Sequence, residues 1–528
     1  METRKNISKK AFLILSLCMI IGIAATRGIT IKHNFAGQPD EHVFYGSTEM
    51  LMYDLLYGEQ YEPVKPYPEG TYVFRLPFHL LAQVAELEDD YTDNVRLWGR
   101  ISSVFYFSLG GIIGLWLVLN VLNGGKAGAI IYILTTCFSL FQIEQSRYGT
   151  FDPISFFVLM LALLLLTQYI RKSRKSCFAA AAFCLAVAAA GKYSLAYFFV
   201  LPISLLFLQK QSKREKLIML CIMGLSALLG FLLFSPSILI NPRFFINTVL
   251  GGLNGYIVGG NPEGYSTIPE SLFSAIVYQL FYSDLPLSTI FMVFGALSIH
   301  RMGKGSIESM FFGFILPLCV LVFLIYNCLL TTFFLRTLFP YYCIAALYAA
   351  AGLGQLCKSK RICGFAVLLC ALMLVRSSYF ISVMADYSAA EKRAEAFSAD
   401  TEASNTSELV YLGEFFVANE LKTTFKDYDT SAVSLGTLHE GEFPEIQSGQ
   451  LIITDSLEHG WAKLCIFPPE DEVIINITQG WEKFKADNQQ YYVGTLFPQH
   501  YYWLFGYWVH GSTGTNYEFP NNYLYYKP

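Results

Sequence analysis

Apolar runs of about 20 residues, the length a helix needs to cross a bilayer, recur through the first 383 positions with short polar connections between them. The pattern predicts eleven spans, near 11–29, 97–122, 127–143, 153–170, 177–191, 193–209, 217–235, 271–299, 310–329, 335–357 and 362–383. The interval 177–209 is short for two crossings, and Gly191-Lys192 at its middle reads as the turn. The basic Met1–Lys10 followed by the apolar Ala11–Gly28 fits a signal peptide or a first span equally well. Further spans follow at once, so the segment is expected to stay as an uncleaved signal-anchor.

The polar positions predict the rest of the architecture. Between the first two spans lies a long loop, 30–96, in which Ser47–Tyr57 places Met50, Tyr53 and Tyr57 against Glu49 and Asp54 at helical spacing. Such a helix suits the membrane interface, and Val73–Gln83 is a second of the kind. After Met384 the pattern turns globular, with strands expected at Leu409–Leu412 and Leu451–Thr454 and short helices at Ser456–Cys465 and Gln479–Lys485. The expected division is a transmembrane domain, 1–383, and a small α+β domain, 384–528. No internal repeat or low-complexity segment is visible.

Composition makes the membrane reading firm. Of 528 residues 54% are hydrophobic and only 15% charged, where a soluble domain carries about a quarter. Of the twelve cysteines only Cys465 falls in the polar C-terminal region, so no disulfide is available inside that region. Charge fixes the expected orientation. Basic clusters at Arg4–Lys10, Lys126, Arg171–Lys175, Lys210–Lys216, Arg301–Lys304 and Lys358–Arg361 mark the cytoplasmic side by the positive-inside rule. Eleven crossings then leave the N-terminus cytoplasmic and the C-terminal domain outside. From Asp386 onward 21 acidic residues face 8 basic ones, a net of −13; with the whole chain at −4, residues 1–385 carry +9. A basic membrane part with an acidic outer domain agrees with a multi-pass plasma-membrane protein and gives no sign of a nucleic-acid partner.

Candidate chemistry collects on the outer face. In Gln38-Pro39-Asp40-Glu41-His42 two carboxylates lie within about ten residues of a span end. Desolvation there raises a carboxylate pKa and makes a useful base, while the plain alternative is a solvated loop. Four cations sit at outer span ends: Arg147 in Arg147-Tyr148-Gly149-Thr150-Phe151-Asp152-Pro153, Lys192, Arg243 after Asn241-Pro242, and Arg336 in Arg336-Thr337-Leu338-Phe339-Pro340. Each alone fits an interfacial snorkelling residue. Together they fit a phosphate pocket. His33, His42 and Glu41 could hold a divalent ion, but their spacing is not diagnostic, and a structural or helix-capping histidine explains it better.

In this order the motifs resemble the GT-C class of polyprenyl-phosphate-sugar-dependent glycosyltransferases, especially the protein O-mannosyltransferases and the bacterial aminoarabinose transferases. The acidic pair Asp40-Glu41 in the first outer loop matches one hallmark, and Arg147 with Asp152-Pro153 at the fourth span matches a second. Lys192-Tyr193, Ser235-Pro236…Asn241-Pro242 and Arg336…Pro340 fall where the family carries similar residues. The chain departs from it at Tyr67-Pro68-Glu69, where many bacterial relatives have His-Pro-Pro. It also lacks the β-trefoil insert of the eukaryotic enzymes, which puts a protein hydroxyl as acceptor in doubt.

The resemblance implies a GT-C fold and transfer of a sugar from a lipid-linked phosphosugar to a hydroxyl of a glycan, lipid or protein, at the extracytoplasmic face. Asp40 is then the general base of an inverting displacement, with Glu41 beside it. Arg147, Lys192, Arg336 and Arg243 bind the donor phosphate, and Asp152, Tyr148 and His42 support them. No cofactor is required by this scheme. An oligosaccharyltransferase or ligase using a lipid pyrophosphate is the alternative within the class. A transporter or flippase is the alternative outside it, and the absence of repeats or of helices broken at the bilayer midplane speaks weakly against that.

Overall fold

The computed structural model describes residues 8–29, 31, 41–57, 70–84, 91–235, 238, 242–243, 246–247, 288–302, 305–329, 335–400, 408–413, 429–434, 443, 445–448, 450–455, 480, 483–495 and 522–526. The chain divides into two units, with the boundary near the C-terminus of the apolar region falling between Ser378 and Tyr379.

The first unit is helical. Its elements are α1 (Lys9–Gly28), α2 (Glu41–Tyr57), α3 (Gly70–Val84), α4 (Tyr91–Asn120), α5 (Gly125–Phe138), α6 (Leu140–Arg147), α7 (Asp152–Lys172) and α8 (Lys175–Gly191). A 3-10 turn (Tyr193–Phe199) then leads into α9 (Val200–Leu208) and α10 (Lys213–Leu233). After these come α11 (Ser288–Met302), α12 (Ile307–Cys328, with a π turn at Phe311–Ile315), a 3-10 turn at Leu335–Leu338, α13 (Phe339–Leu356) and α14 (Lys360–Asp400), whose residues from Tyr379 on belong to the second unit. Among the described residues six helices are long and apolar enough to span a membrane, or seven if the bent pair α5–α6 is one span. Three shorter apolar helices lie at Lys175–Gly191, Tyr193–Leu208 and Ile290–Arg301. The chain is a multi-pass membrane protein. The expected eighth span, 271–299, lies partly outside the described residues.

Which helices meet lipid follows from their exposed side chains. Leu217, Leu225, Leu228 and Leu229 of α10, and Val367, Leu372 and Val375 of α14, stand exposed although wholly apolar. Helix α13 is the reverse, buried continuously from Phe339 to Leu353. Its small residues admit close neighbours: a Cβ at Gly295 of α11 would lie 2.4 Å from the Tyr348 carbonyl, and one at Gly354 2.4 Å from that of Gly124. Close backbone approach of this kind is how helices associate where no hydrophobic drive separates lipid from side chain.

The expected span 127–143 is not one straight helix. It breaks at Ser139, and α6 leaves α5 at 55°. Three carbonyls at the end of α5 lose their helical partners there, and other helices replace them. Arg27 of α1, fully buried, donates Nη2 to the Thr136 carbonyl at 2.8 Å and Nη1 to that of Cys137 at 2.7 Å. The Ser377 hydroxyl of α14 takes the Phe138 carbonyl. On the far side of the break Ser139 caps α6 by accepting from the Gln142 amide, and Arg27 Nε donates to Ser146 Oγ at 3.0 Å. One guanidinium therefore grips both halves of the bend.

The second unit holds a five-stranded sheet of β1 (Glu408–Gly413), β2 (Asp429–Ser434), β3 (Gln450–Asp455), β4 (Tyr492–Thr495) and β5 (Asn522–Tyr526), in the order β2-β1-β3-β5-β4. The first three are parallel; β5 and β4 add antiparallel strands to the β3 side. Val410, Ile446, Ile452 and Phe484 form its core. The expected strands Leu409–Leu412 and Leu451–Thr454 lie within β1 and β3. The expected helix Ser456–Cys465 lies outside the described residues.

Candidate active site

The bend at Ser139 aims α6 so that its last residue, Arg147, opens a short loop, Tyr148–Phe151, before α7 begins at Asp152. Proline at the second position of α7 suits a helix start, where the missing N–H costs nothing. Arg147 is buried, and its Nη2 donates to the Tyr148 hydroxyl at 3.0 Å while its guanidinium lies 4.7 Å from the ring centre. The plane of the fork is thus set by its own neighbour.

Asp152 and Lys192 form a buried ion pair. Lys192 stands at the extended corner between α8 and the 3-10 turn, where Gly191 ends the helix. Its Nζ donates to Asp152 Oδ1 at 2.7 Å and to the Thr337 carbonyl at 3.2 Å. The two side chains are 8% and 1% exposed. The ammonium also lies 5.1 Å from the centre of the Phe151 ring. Lys192 so ties α7 and α8 to the turn before α13 that carries Arg336. The other carboxylate oxygen, Asp152 Oδ2, is buried with no hydrogen-bond partner among the described residues, as are Thr150 Oγ1, Ser155 Oγ and Gln145 Oε1.

Helices α2 and α3, between the first two spans, reach the same place. Asp40 lies outside the described residues, and Glu41 and His42 open α2 with side chains that are not described. One turn later Phe44 is fully buried, edge-on to Phe151 at 5.4 Å and beneath the guanidinium of Arg75 at 5.3 Å. Tyr45 fills space left by two glycines: a Cβ at Gly149 would come within 2.4 Å of its hydroxyl, and one at Gly99 within 2.3 Å of its ring. The start of α2 is therefore seated on the α6–α7 loop. Helix α3 closes the group, with Gly70 against the backbone of Ala190 and Gly191 beside Lys192.

Arg75 of α3 is the residue that sequence reasoning passed over. It is 2% exposed, donates Nη2 to the Thr150 carbonyl at 2.5 Å and lies 3.5 Å from Ser103 Oγ. An arginine amid the apolar positions Val73, Phe74, Leu76 and Phe78 was the available signal. His79, one turn on, is also buried; burial holds its imidazole below the usual range, with Glu49 pulling the other way. Arg27 was missed too, although a charge in the last turn of an apolar span is itself such a signal.

Of the sequence-predicted set, Arg147, Tyr148, Asp152 and Lys192 are assembled at one end of the helical unit, with the backbone of Arg336 next to Thr337. Arg243 is exposed, and no described contact ties it to the group. Among the described residues no three His, Cys, Asp or Glu side chains converge to hold a metal; His33 and the side chains of Glu41 and His42 lie outside that set.

No family model and no curated protein sequence matches the chain. Among solved structures it is similar to ArnT from Cupriavidus metallidurans in the apo state, at 11% identity with a TM-score of 0.49 over 85% of this chain and 94% of that one. It is also similar to the archaeal oligosaccharyltransferase AglB from Archaeoglobus fulgidus in complex with an inhibitory peptide and a dolichol-phosphate, at 10% identity with a TM-score of 0.42 over 85% and 70%.

Proposed function

We propose that the chain is a GT-C-type membrane glycosyltransferase that moves a sugar from a polyprenyl-phosphate donor to an acceptor hydroxyl at the extracytoplasmic face. The observation that carries this reading is the seating of Phe44 and Tyr45, the first turn after the acidic pair, on the loop that joins Arg147 to Asp152. The reading takes the acidic pair, which precedes Phe44 by four and three residues in the sequence, as working beside that loop.

In this reading Asp40 takes the proton of the acceptor hydroxyl as its oxygen attacks the anomeric carbon. The bond from that carbon to the phosphate oxygen breaks, and the configuration inverts. Charge developing on the leaving phosphate is met by fixed cations in a site poor in water, where such stabilisation is largest. Arg147 suits this role because its planar fork is buried and already oriented. Lys192 is half neutralised by Asp152, so it serves first to hold α7, α8 and the Arg336 turn together and shares its charge with the donor only in part. Arg75 fixes the Thr150 carbonyl and with it the loop. Asp152 Oδ2 and Thr150 Oγ1, buried and open, suit hydroxyl contacts to the sugar. A buried polar atom without a partner costs about 1–3 kcal/mol, which a hydroxylated ligand would recover. Glu41 orients the acceptor.

Lipid extracts from cells with and without the protein test the reading. Accumulation of a polyprenyl-phosphate monosaccharide in the deficient cells is the expected result. Accumulation of a pyrophosphate-linked oligosaccharide instead, or an unchanged lipid profile, overturns it.

A further inference from the structure

A buried charge at the end of α1 has no part in the proposed reaction. Arg27 is fully out of solvent, and among the described residues it pairs with no carboxylate. An ionisable group at such a depth is costly and marks a function by default. Its own position is rigid. Nη1 donates to the Thr26 hydroxyl at 2.6 Å, and the guanidinium lies 5.2 Å from the centre of the Phe107 ring of α4. Helix α1 also lies so close to α5 that a Cβ at Gly22 would come within 2.6 Å of Cys137 Sγ. Nη1 and Nη2 meet the carbonyls freed at the end of α5, those of Cys137 and Thr136. Neutral donors would satisfy these as well. The remaining contact is the one that needs the fork: Nε donates at 3.0 Å to Ser146 Oγ, across the break and one residue before Arg147.

Helix α6 needs such an anchor. It has eight residues, below the roughly 12–15 at which an isolated helix is even marginal, so its direction comes from its neighbours. Near its start Phe141 packs on α13, 4.7 Å from the Tyr342 ring and 5.9 Å from that of Phe339. At its end the Ser146 hydroxyl donates to the Gln142 carbonyl and accepts from Arg27. The first contact leaves the helix able to swing about its start, and the second fixes where its last residue stands. We infer that Arg27 is a positioning residue for the candidate phosphate site: by fixing the last turn of α6 it places the guanidinium of Arg147. The inference rests on the reading of Arg147 as a ligand of the donor phosphate. A misplacement of about 1 Å in such a group can cost about 10²-fold. Lysine cannot do the same work. Three different nitrogens of Arg27 serve the two halves of the bend, whereas lysine brings one nitrogen on a flexible stem.

The test measures binding of a short-chain polyprenyl phosphate to the full chain in detergent, in a double-mutant cycle of Arg27→Lys with Arg147→Ala. A residue that acts through Arg147 has nothing left to act on once that side chain is gone. Arg27→Lys is expected to lose about tenfold in affinity in the wild-type background and less than about twofold in the Arg147→Ala background. Ser146→Ala removes the acceptor through which Arg27 holds α6 and leaves Thr26, Thr136 and Cys137 in place, so it reads the same link if Arg27→Lys does not fold. It is expected to lose about threefold, again only with Arg147 present. Equal losses in both backgrounds overturn the inference, because Arg27 then supports the fold in general. Wild-type affinity in Ser146→Ala overturns it too. Failure of the underlying reading looks different: Arg147→Ala itself then binds the phosphate as the wild type does, and the inference falls with it.

Discussion

Removing one partner of the Asp152–Lys192 pair is the perturbation whose size the structure fixes best. The charges are 2.7 Å apart and nearly out of solvent. At an effective dielectric of 20 their attraction is about 6 kcal/mol, most of which offsets the desolvation of both groups. Intact, the pair therefore adds little net stability, but breaking it strands a buried charge, at about 3–5 kcal/mol. Asp152→Asn leaves the ammonium with the Thr337 carbonyl and the Phe151 ring, and so belongs at the lower end. Lys192→Met leaves a carboxylate with no cation and belongs at the upper end. The double variant strands neither. It should be less destabilised than the sum of the single ones by at least about 2 kcal/mol, within the usual range for contacting residues. Unfolding in mixed micelles with increasing SDS reads all four proteins. Additive costs to within about 0.5 kcal/mol, or a single-variant cost below about 1 kcal/mol, would refute the claim that this pair ties α7, α8 and the turn before α13 together.

Three further outcomes follow. Arg147→Lys keeps the charge but loses the fork and its bond to Tyr148, so donor affinity should drop about tenfold or more by equilibrium binding; unchanged affinity removes Arg147 from the phosphate site. Gly149→Ala puts a methyl group where the Tyr45 hydroxyl sits, at a cost of about 1–3 kcal/mol. Turnover should fall with the seating of α2, while a wild-type rate would mean that seating is irrelevant to the reaction. Protease added from the extracytoplasmic side should digest 384–528 and spare the Arg171–Lys175 loop, and the reverse pattern inverts the proposed active face.

How much of this was legible depends on whether the determinant was local. Most helices stand out because hydropathy is a property of one segment, and Lys192 showed itself as the turn inside 177–209. The break at Ser139 did not show, because what stabilises it comes from Arg27 and Ser377, over a hundred residues away in both directions. Strand β2, Asp429-Thr-Ser-Ala-Val-Ser434, has little apolar alternation and is a strand because β1 pairs with it in parallel. Strand β5 lies in an aromatic tail whose tyrosines read equally as an interfacial belt. In the site, Arg147, Asp152 and Lys192 were visible as charges at span ends. Arg75 carried only the signal of an arginine amid apolar positions, which looks the same in sequence whether the residue snorkels or is buried over Phe44.

Asp40→Asn tests the central claim most directly. The amide keeps the size of the carboxylate but takes no proton at neutral pH, so turnover should fall by about 10² to 10⁴, the scale of a lost general base. Donor affinity should stay within about twofold of wild type, because the lost interaction belongs to the transition state. Glu41→Gln, measured alongside, should be milder. Near-normal turnover in Asp40→Asn, in Glu41→Gln and in the double variant would contradict the account, since the proposed acidic pair would then take no part in the chemistry.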